Sequence, residues 1–227
     1  MDMCVVDTQT PIGIFGGTFD PIHYGHLRLA EELAESLHLA QVRFIPVGRP
    51  PHRSVPHTDA LHRLRMVQLA IVDNARFVAD AREIEQEELS YTVNTLQTLR
   101  QQFGASRPLY LLLGADAFLG VPRWHRWQEL LNLAHIAVAY RPGFPYAQWK
   151  GAMPTELRLQ FEQRLATQSD IACTPVGCII AQPITALDIS ATYIRDSLQT
   201  GHTPRYLLPD VVLDYIHTHH LYYPEPA

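Results

Sequence analysis

Two histidines near the N-terminus, His23 and His26, are the residues of this 227-residue chain best suited by type and spacing to chemistry. They are three residues apart, so at the start of a helix they share one face. Imidazole N–H groups can donate hydrogen bonds to phosphate oxygens. Gly16 and Gly17 precede them, and a backbone without Cβ atoms can approach a bulky anion closely. The pattern favours a phosphate site, although an isolated histidine pair is more often a capped helix start with satisfied core imidazoles.

The surrounding patterns place this stretch where a strand ends and a helix begins. The apolar run of residues 12–15 predicts a buried strand, and the apolar spacing through residues 27–37 predicts a helix. Free backbone N–H groups and the positive end of the helix would then point at one spot, which suits an anion. The stretch has neither the Walker spacing nor the dinucleotide-binding fingerprint, which argues against a hydride-transferring Rossmann enzyme.

The remaining patterns alternate between strand and helix, which predicts a parallel sheet. Strands are predicted over residues 42–47, 77–79, 109–113, 135–140 and 178–181, and helices over residues 59–72, 92–103, 156–166, 191 onwards and 208–219. Ser190 is the predicted N-cap of the helix that follows it. We therefore expect an α/β fold, a Rossmann-like open parallel sheet with helices on both faces. A single domain is expected over residues 1–227, with a flexible N-terminal extension at residues 1–10.

Composition excludes several classes of protein. The formal charge of −5, with no basic stripe, argues against general nucleic-acid binding. The three cysteines form no close pairs, which favours a reducing cytoplasm. No apolar run is long enough to span a membrane, and no signal peptide is evident. His217, His219 and His220 could suggest a metal, but 217 and 219 face different sides of a helix, so no metal site is predicted.

Two motifs carry a resemblance to a known family. GGTFDPIHYGH, residues 16–26, resembles the signature of the class I-like nucleotidylyltransferases, and ISATYIR, residues 189–195, resembles a second motif of that superfamily. The whole chain is similar to bacterial nicotinate-nucleotide adenylyltransferases. The resemblance implies transfer of the AMP moiety of ATP to nicotinate mononucleotide, giving deamido-NAD and pyrophosphate in NAD biosynthesis. It also implies a nucleotidyltransferase-type sheet and Mg²⁺ accompanying ATP.

The resemblance implies roles for individual residues. The catalytic residues would be His23, His26 and Arg195. ATP would contact these three and also Gly16, Gly17, Thr18, Phe19, Gly114, Asp116, Ile189, Ser190 and Thr192. The mononucleotide would contact Thr18, His52, Arg53, Tyr91, Thr92, Asp116 and Trp124.

Some of these residues have an alternative structural role, and two positions depart from the family pattern. Thr92 could cap a helix, Asp116 could cap the next one, and Trp124 could be buried together with Trp127. Arg53 stands where the family usually has lysine; it keeps the charge and can bind phosphate bidentately. Ala191 stands where the family usually has serine, so one hydroxyl is missing.

The implied reaction needs no general base. A phosphate monoester has a second pKa of about 6, so the nucleophile is already ionised. Catalysis can rest on alignment and charge neutralisation. Two alternatives stay open: an adenylyltransferase for another acceptor, nicotinamide mononucleotide or phosphopantetheine, and a non-catalytic nucleotide sensor on the same fold. The sequence does not determine the oligomeric state.

Overall fold

The computed structural model describes residues 10–51, 56–140, 149, 151–171, 174–185 and 187–224. Six strands are assigned: β1 Ile12–Gly17, β2 Gln41–Pro46, β3 Phe77–Ala79, β4 Leu109–Gly114, β5 His135–Tyr140 and β6 Ile179–Pro183. The helices are α1 Tyr24–Ser36, α2 Ala60–Ile71, α3 Thr92–Phe103, α4 Ala115–Leu119, α5 Leu130–Leu133, α6 Thr155–Arg164, α7 Gln168–Ile171, α8 Ala191–Gln199 and α9 Asp210–Thr218. Within these described ranges, no helix combines the length and apolarity that crossing a membrane requires.

The strands form one sheet in the order β3-β2-β1-β4-β5-β6. The pairings of β1 with β4, β4 with β5 and β5 with β6 are parallel; Ile12 pairs with Leu109, and Leu111 with Ile136. This confirms the predicted open parallel α/β sheet. The strand order reverses between β1 and β4, and such switch points are where open α/β sheets bind ligands, beyond the carboxyl ends of the strands.

Burial explains why the middle of the sheet is so apolar. The five residues 109–113 of β4 are all buried, as are residues 135–139 of β5. A parallel strand covered on both faces needs apolar side chains at consecutive positions, not at alternate ones. The continuous apolar runs in the sequence therefore predicted these strands well.

Contacts between Cα atoms divide the chain into two compact units, and the division passes through β1, α1 and β2. The first unit contains the chain up to Phe15, Leu29–Arg43 and Tyr91–Ala186. The second unit contains Gly16–Arg28, Phe44–Ser90 and the chain from Leu187 onwards. A single domain over residues 1–227 stays a prediction, and most of the expected N-terminal extension lies outside the described residues.

The predicted bounds agree with the observed ones to within about two residues, except that α1 begins at Tyr24 and not at residue 27, and two predicted capping roles differ. Thr92 is the first residue of α3, and the N-cap position is taken by Tyr91, which makes no side-chain capping bond. Gly114 takes the N-cap position of α4, and Asp116 lies inside the first turn. Capping by Thr92 and by Asp116 was therefore wrong, because in both cases the chain enters the helix before that residue. Asp116 still lies at the positive end of the α4 dipole.

Candidate active site

The chain leaves β1 through a tight turn at Thr18, Phe19 and Asp20. Phe19 has φ 50°, the left-handed region that costs a residue other than glycine on the order of 1 kcal/mol. Its ring is 2% exposed and packs 5.8 Å from the ring of Phe44 and edge-on to His26 at 5.1 Å. Burying a phenylalanine contributes about 2 kcal/mol, enough to hold this conformation. Phe19 as a whole is buried, so it contributes to the site by holding the shape of the turn.

The two glycines that end β1, Gly16 and Gly17, serve different purposes. A Cβ on Gly17 would lie 2.9 Å from the ring of Phe19, so packing excludes a side chain there. A Cβ on Gly16 would meet no atom within 4 Å, and Gly16 is exposed. A ligand was predicted to approach the backbone closely at both glycines. Of the two, Gly16 has open space for such an approach.

His23 and His26 form a stacked pair at the start of α1. Their ring centroids are 3.7 Å apart and the ring planes differ by 24°. The backbone N–H of His23 donates to Nδ1 of His26 at 3.3 Å, so the proton of a neutral His26 ring lies on Nε2. The predicted shared face of the two histidines is confirmed.

Burial keeps both imidazoles neutral. It lowers the pKa of His23 to about 4. Burial, followed by repulsion from His23, lowers the pKa of His26 well below its ordinary value. Both rings are therefore uncharged donors at pH 7, and an anion placed beside them would raise both pKa values.

One atom of this pair has no hydrogen-bond partner among the residues that the structure describes. His23 is 6% exposed, and its Nδ1 is buried without a donor or acceptor. Such atoms are rare in folded proteins and cost about 1–3 kcal/mol each. The ring lies so close to Gly25 that a Cβ there would be 3.0 Å from Nδ1. An unsatisfied ring nitrogen at a helix start is what a ligand oxygen would complete.

The second motif reaches the same place within the second unit. Nη1 of Arg195 donates to the backbone carbonyl of Asp20 at 2.7 Å. A Cβ on Gly25 would lie 3.5 Å from the carbonyl oxygen of Ile189. Two motifs far apart in sequence therefore lie next to each other, as the ATP contacts implied by the resemblance require.

The start of α8 is built as the sequence predicted. Ser190 is its N-cap, and the Ser190 hydroxyl accepts from the backbone N–H of Tyr193 at 3.1 Å. The exposed Thr192 hydroxyl accepts from Nη2 of Arg195 at 3.2 Å. These bonds orient the guanidinium beside a helix start, where both contribute positive potential.

Arg63 supports the turn from inside the second unit, and the sequence analysis missed it. The side chain is 1% exposed, and its guanidinium donates to three carbonyls, those of Thr58 at 3.1 Å, Thr18 at 2.8 Å and Val47 at 2.7 Å. The apolar side chain of Leu61 on the same helix, α2, is 66% exposed. The spacing of residues 63, 66, 67 and 71 marks the true buried face and could have revealed the arginine.

Ser90 ties down the loop that follows β2. Its hydroxyl accepts from the backbone N–H groups of Gly48 at 3.0 Å and Arg49 at 3.2 Å. A Cβ on Gly48 would overlap the carbonyl of Glu83, so that position needs glycine. The predicted phosphate contacts His52 and Arg53 lie outside the described residues.

Among the other predicted mononucleotide contacts, Thr18 lies in the second unit, and the first unit contains Tyr91, Thr92, Asp116 and Trp124. Asp116 is exposed at the start of α4, just after Gly114 ends β4. Trp127 is buried and Trp124 is half-buried, so only one of the two indoles is fully in the core. Tyr91 packs its ring against that of His125, with centroids 4.4 Å apart, an aromatic pair that the sequence did not suggest.

In the described part of the chain, no group of three or more His, Cys, Asp or Glu residues is arranged to hold a metal ion. The C-terminal histidines have other partners. Nδ1 of His217 is 2.6 Å from the hydroxyl of Tyr223, and the ring of His219 packs 4.2 Å from that of Tyr215.

Comparisons with known proteins agree with this geometry. A family model described as cytidylyltransferase-like matches residues 14–197. A protein of Dechloromonas aromatica named "Probable nicotinate-nucleotide adenylyltransferase" is 52% identical over 213 residues, 93% of this chain and 97% of that protein. A protein of the same name from Acidithiobacillus ferrooxidans is 47% identical over 219 residues, 95% of this chain and 97% of that protein.

A solved structure shares the fold. Nicotinic acid mononucleotide adenylyltransferase of Plasmodium falciparum, complexed with NaAD, has a TM-score of 0.70 at 19% identity. The similarity covers 94% of this chain and 98% of that one. With a full-length relative at 52% identity, the chain belongs to the nicotinate-nucleotide adenylyltransferase family of cytidylyltransferase-like proteins.

Proposed function

We propose that this protein transfers the AMP moiety of ATP to nicotinate mononucleotide, forming deamido-NAD and releasing pyrophosphate. The observation that carries the proposal is the neutral His23–His26 stack, with the unsatisfied Nδ1 of His23, at the start of α1 beside the turn whose Asp20 carbonyl accepts from Arg195. The names of the full-length relatives support the choice of acceptor.

The triphosphate of ATP binds where α1 and α8 begin. Gly16, Gly17, Thr18 and Phe19 contribute backbone groups, and Ile189, Ser190 and Thr192 line the other side. His23, His26 and Arg195 contact the β- and γ-phosphates. Helix starts and a guanidinium attract anions, which compensates for the formal charge of −5 on the whole chain.

The reaction is an in-line displacement at the α-phosphorus of ATP. A phosphate oxygen of the mononucleotide forms the new bond to the α-phosphorus, and the bond from that phosphorus to the bridging oxygen breaks. Pyrophosphate leaves with the bonding electron pair. The nucleophile is already ionised, so the protein aligns the two phosphates and stabilises the charge that accumulates on the leaving group.

Neutral histidines suit this task. They donate hydrogen bonds without the cost of a buried charge in the free protein. The pKa of His23, about 4 in the free protein, rises when phosphate charge arrives beside it. Donation from the ring therefore strengthens as negative charge builds up on the departing pyrophosphate.

Mg²⁺ is proposed as part of the ATP substrate, with no residue of the chain assigned as its ligand. It neutralises phosphate charge and so reduces the repulsion between the two reacting anions.

The acceptor contacts are proposals of the same kind. Thr18, His52 and Arg53 guide the mononucleotide phosphate, and the other contacts are Tyr91, Thr92, Asp116 and Trp124. Gly114 and Asp116 also approach the nucleotide of ATP. The half-buried Trp124 has the flat apolar surface on which a pyridine ring could stack. A cytoplasmic location, without nucleic-acid or membrane partners, completes the proposal.

One assay tests the function. The protein is incubated with ATP, Mg²⁺ and one of three acceptors, and pyrophosphate is measured. Strong release with nicotinate mononucleotide is expected. Stronger release with nicotinamide mononucleotide or phosphopantetheine would assign that compound as the acceptor. No release with any of the three would favour a nucleotide sensor.

A further inference from the structure

A buried carboxylate lies in the same turn as the proposed phosphate contacts. Asp20 is 4% exposed, and both of its carboxylate oxygens accept hydrogen bonds. Oδ2 accepts from the backbone N–H of His57 at 2.8 Å. Oδ1 accepts from the hydroxyl of Tyr222 at 2.6 Å, across 202 residues of sequence. Tyr222 follows the last helix, α9, and is 9% exposed.

Asp20 thus connects the C-terminal segment to the proposed catalytic groups. Its carboxylate is bonded to Tyr222, while its backbone carbonyl accepts from Nη1 of Arg195. The preceding residue, Phe19, packs edge-on against His26. A rotation of the backbone at Asp20 would therefore displace Arg195 and the histidine pair together.

We propose that Tyr222 is a positioning residue for the transfer reaction, because its hydroxyl anchors the Asp20 carboxylate and so orients Arg195 and the histidine pair. This inference rests on the function proposed above. Tyr222 acts through Asp20 and does not itself touch the substrates.

Three features make the anchor suitable for this role. Burial, and then the charge of Asp20, raises the pKa of Tyr222 well above its ordinary value, so the hydroxyl remains a donor. The charge of Asp20 acts favourably on the buried guanidinium of Arg63, which bonds to the carbonyl of Thr18 in the same turn. Phe19 occupies the left-handed region, a conformation that persists only where surrounding contacts hold it.

The chain supplies a matched control. Tyr223, the next residue, also makes a hydrogen bond of 2.6 Å, but to Nδ1 of His217 on the same C-terminal segment. The substitutions Tyr222→Phe and Tyr223→Phe each remove one hydroxyl and a hydrogen bond of 2.6 Å, and Tyr222→Phe also removes the hydrogen bond between that hydroxyl and the Thr58 side chain. They differ in whether the lost bond leads to the turn.

The experiment compares both variants with the wild-type protein. We measure kcat and the KM for ATP and for nicotinate mononucleotide, together with the melting temperature. Tyr222→Phe should lower kcat/KM for ATP about tenfold, since small misplacements of reacting groups are costly, and should leave the KM for the mononucleotide within about twofold. Tyr223→Phe should change each kinetic constant less than twofold.

A readout independent of turnover separates this inference from the proposed function. In hydrogen exchange, the amides of residues 18–26 should exchange faster in Tyr222→Phe and at the wild-type rate in Tyr223→Phe. A wild-type protein that releases no pyrophosphate would overturn the function, whereas the exchange difference would still support the anchoring. Equal kinetics and equal exchange in the two variants, or a lower melting temperature in Tyr222→Phe with unchanged kinetics per folded molecule, would overturn the anchoring.

Discussion

Two buried histidines, one in each compact unit, have the same electrostatic character and different surroundings. Burial lowers the pKa of both His23 and His135 to about 4. His135 is fully buried, and both of its ring nitrogens have partners. Nε2 is 3.0 Å from the carbonyl of Thr174, and Nδ1 accepts from the backbone N–H of Cys178 at 3.2 Å.

His23 differs in one respect, because its Nδ1 has no hydrogen-bond partner in the described part of the chain. A lowered pKa therefore does not by itself identify a functional histidine, since burial alone produces it. The two histidines differ in whether both ring nitrogens have hydrogen-bond partners. A satisfied ring such as that of His135 stabilises its surroundings, and an unsatisfied one such as that of His23 is a candidate contact for a ligand.

The largest expected effect concerns the proposed catalytic pair. His23→Ala and His26→Ala should each lower turnover by about 10²–10³, the usual cost of losing a donor to a developing charge. The fold should survive, since His23→Ala removes an unsatisfied atom. Steady-state pyrophosphate release and circular dichroism check both points. Near-normal turnover in a folded variant would remove the histidines from the mechanism.

The opposite result is expected at His135. His135→Leu leaves the carbonyl of Thr174 and the N–H of Cys178 unpaired, which should lower the free energy of unfolding by about 2–4 kcal/mol. Turnover per folded molecule should stay within about twofold of the wild type. Urea denaturation measures the free energy of unfolding, and an active-fraction assay measures turnover per folded molecule. A loss of turnover without a loss of stability would contradict the distinction between His135 and His23.

The pH dependence of stability should sharpen the same comparison. Each histidine has a pKa of about 4 in the folded protein and of about 6.5 in the unfolded chain. Below pH 6.5 the unfolded chain therefore binds more protons than the folded protein does. Stability from each is complete above pH 6.5 and declines as the pH falls toward 4, by on the order of 2 kcal/mol between pH 7 and 5.

Urea denaturation at pH 7 and 5 tests this dependence in three proteins. His23→Ala and His135→Leu should each lose less stability on acidification than the wild type does. A non-hydrolysable ATP analogue should reduce the contribution of His23, because phosphate raises its pKa, and should leave that of His135 unchanged. If both variants keep the wild-type pH dependence of stability, burial does not lower the pKa values of His23 and His135.

The smallest effect is expected at Gly25. A Cβ there would lie 3.0 Å from the His23 ring, so Gly25→Ala should displace the ring by a few tenths of an ångström. We expect about a tenfold loss of turnover without loss of stability, since alanine favours a helix over glycine. In a His23→Ala background the same substitution should cost nothing. An additive loss would show that Gly25 acts without His23.

Much of the fold was predictable from local patterns. Strands β3 and β5 were predicted with their observed bounds, because apolar runs bounded by turn residues and a parallel arrangement leave few alternatives. The helix starts at Ser190 and near His23 were also predictable, since capping and phosphate motifs are contiguous. The capping roles of Thr92 and Asp116 failed because one residue of difference in where a helix begins changes which side chain caps it.

By itself, the sequence determined that strands alternate with helices and that two separate motifs resemble those of one enzyme family, since both depend on neighbouring residues. Only the tertiary structure decided that Arg63 is buried, that Tyr222 reaches Asp20, and that His135 is satisfied while His23 is not. The physical reason is that desolvation and hydrogen-bond satisfaction depend on groups brought close by folding, here across as many as 202 residues.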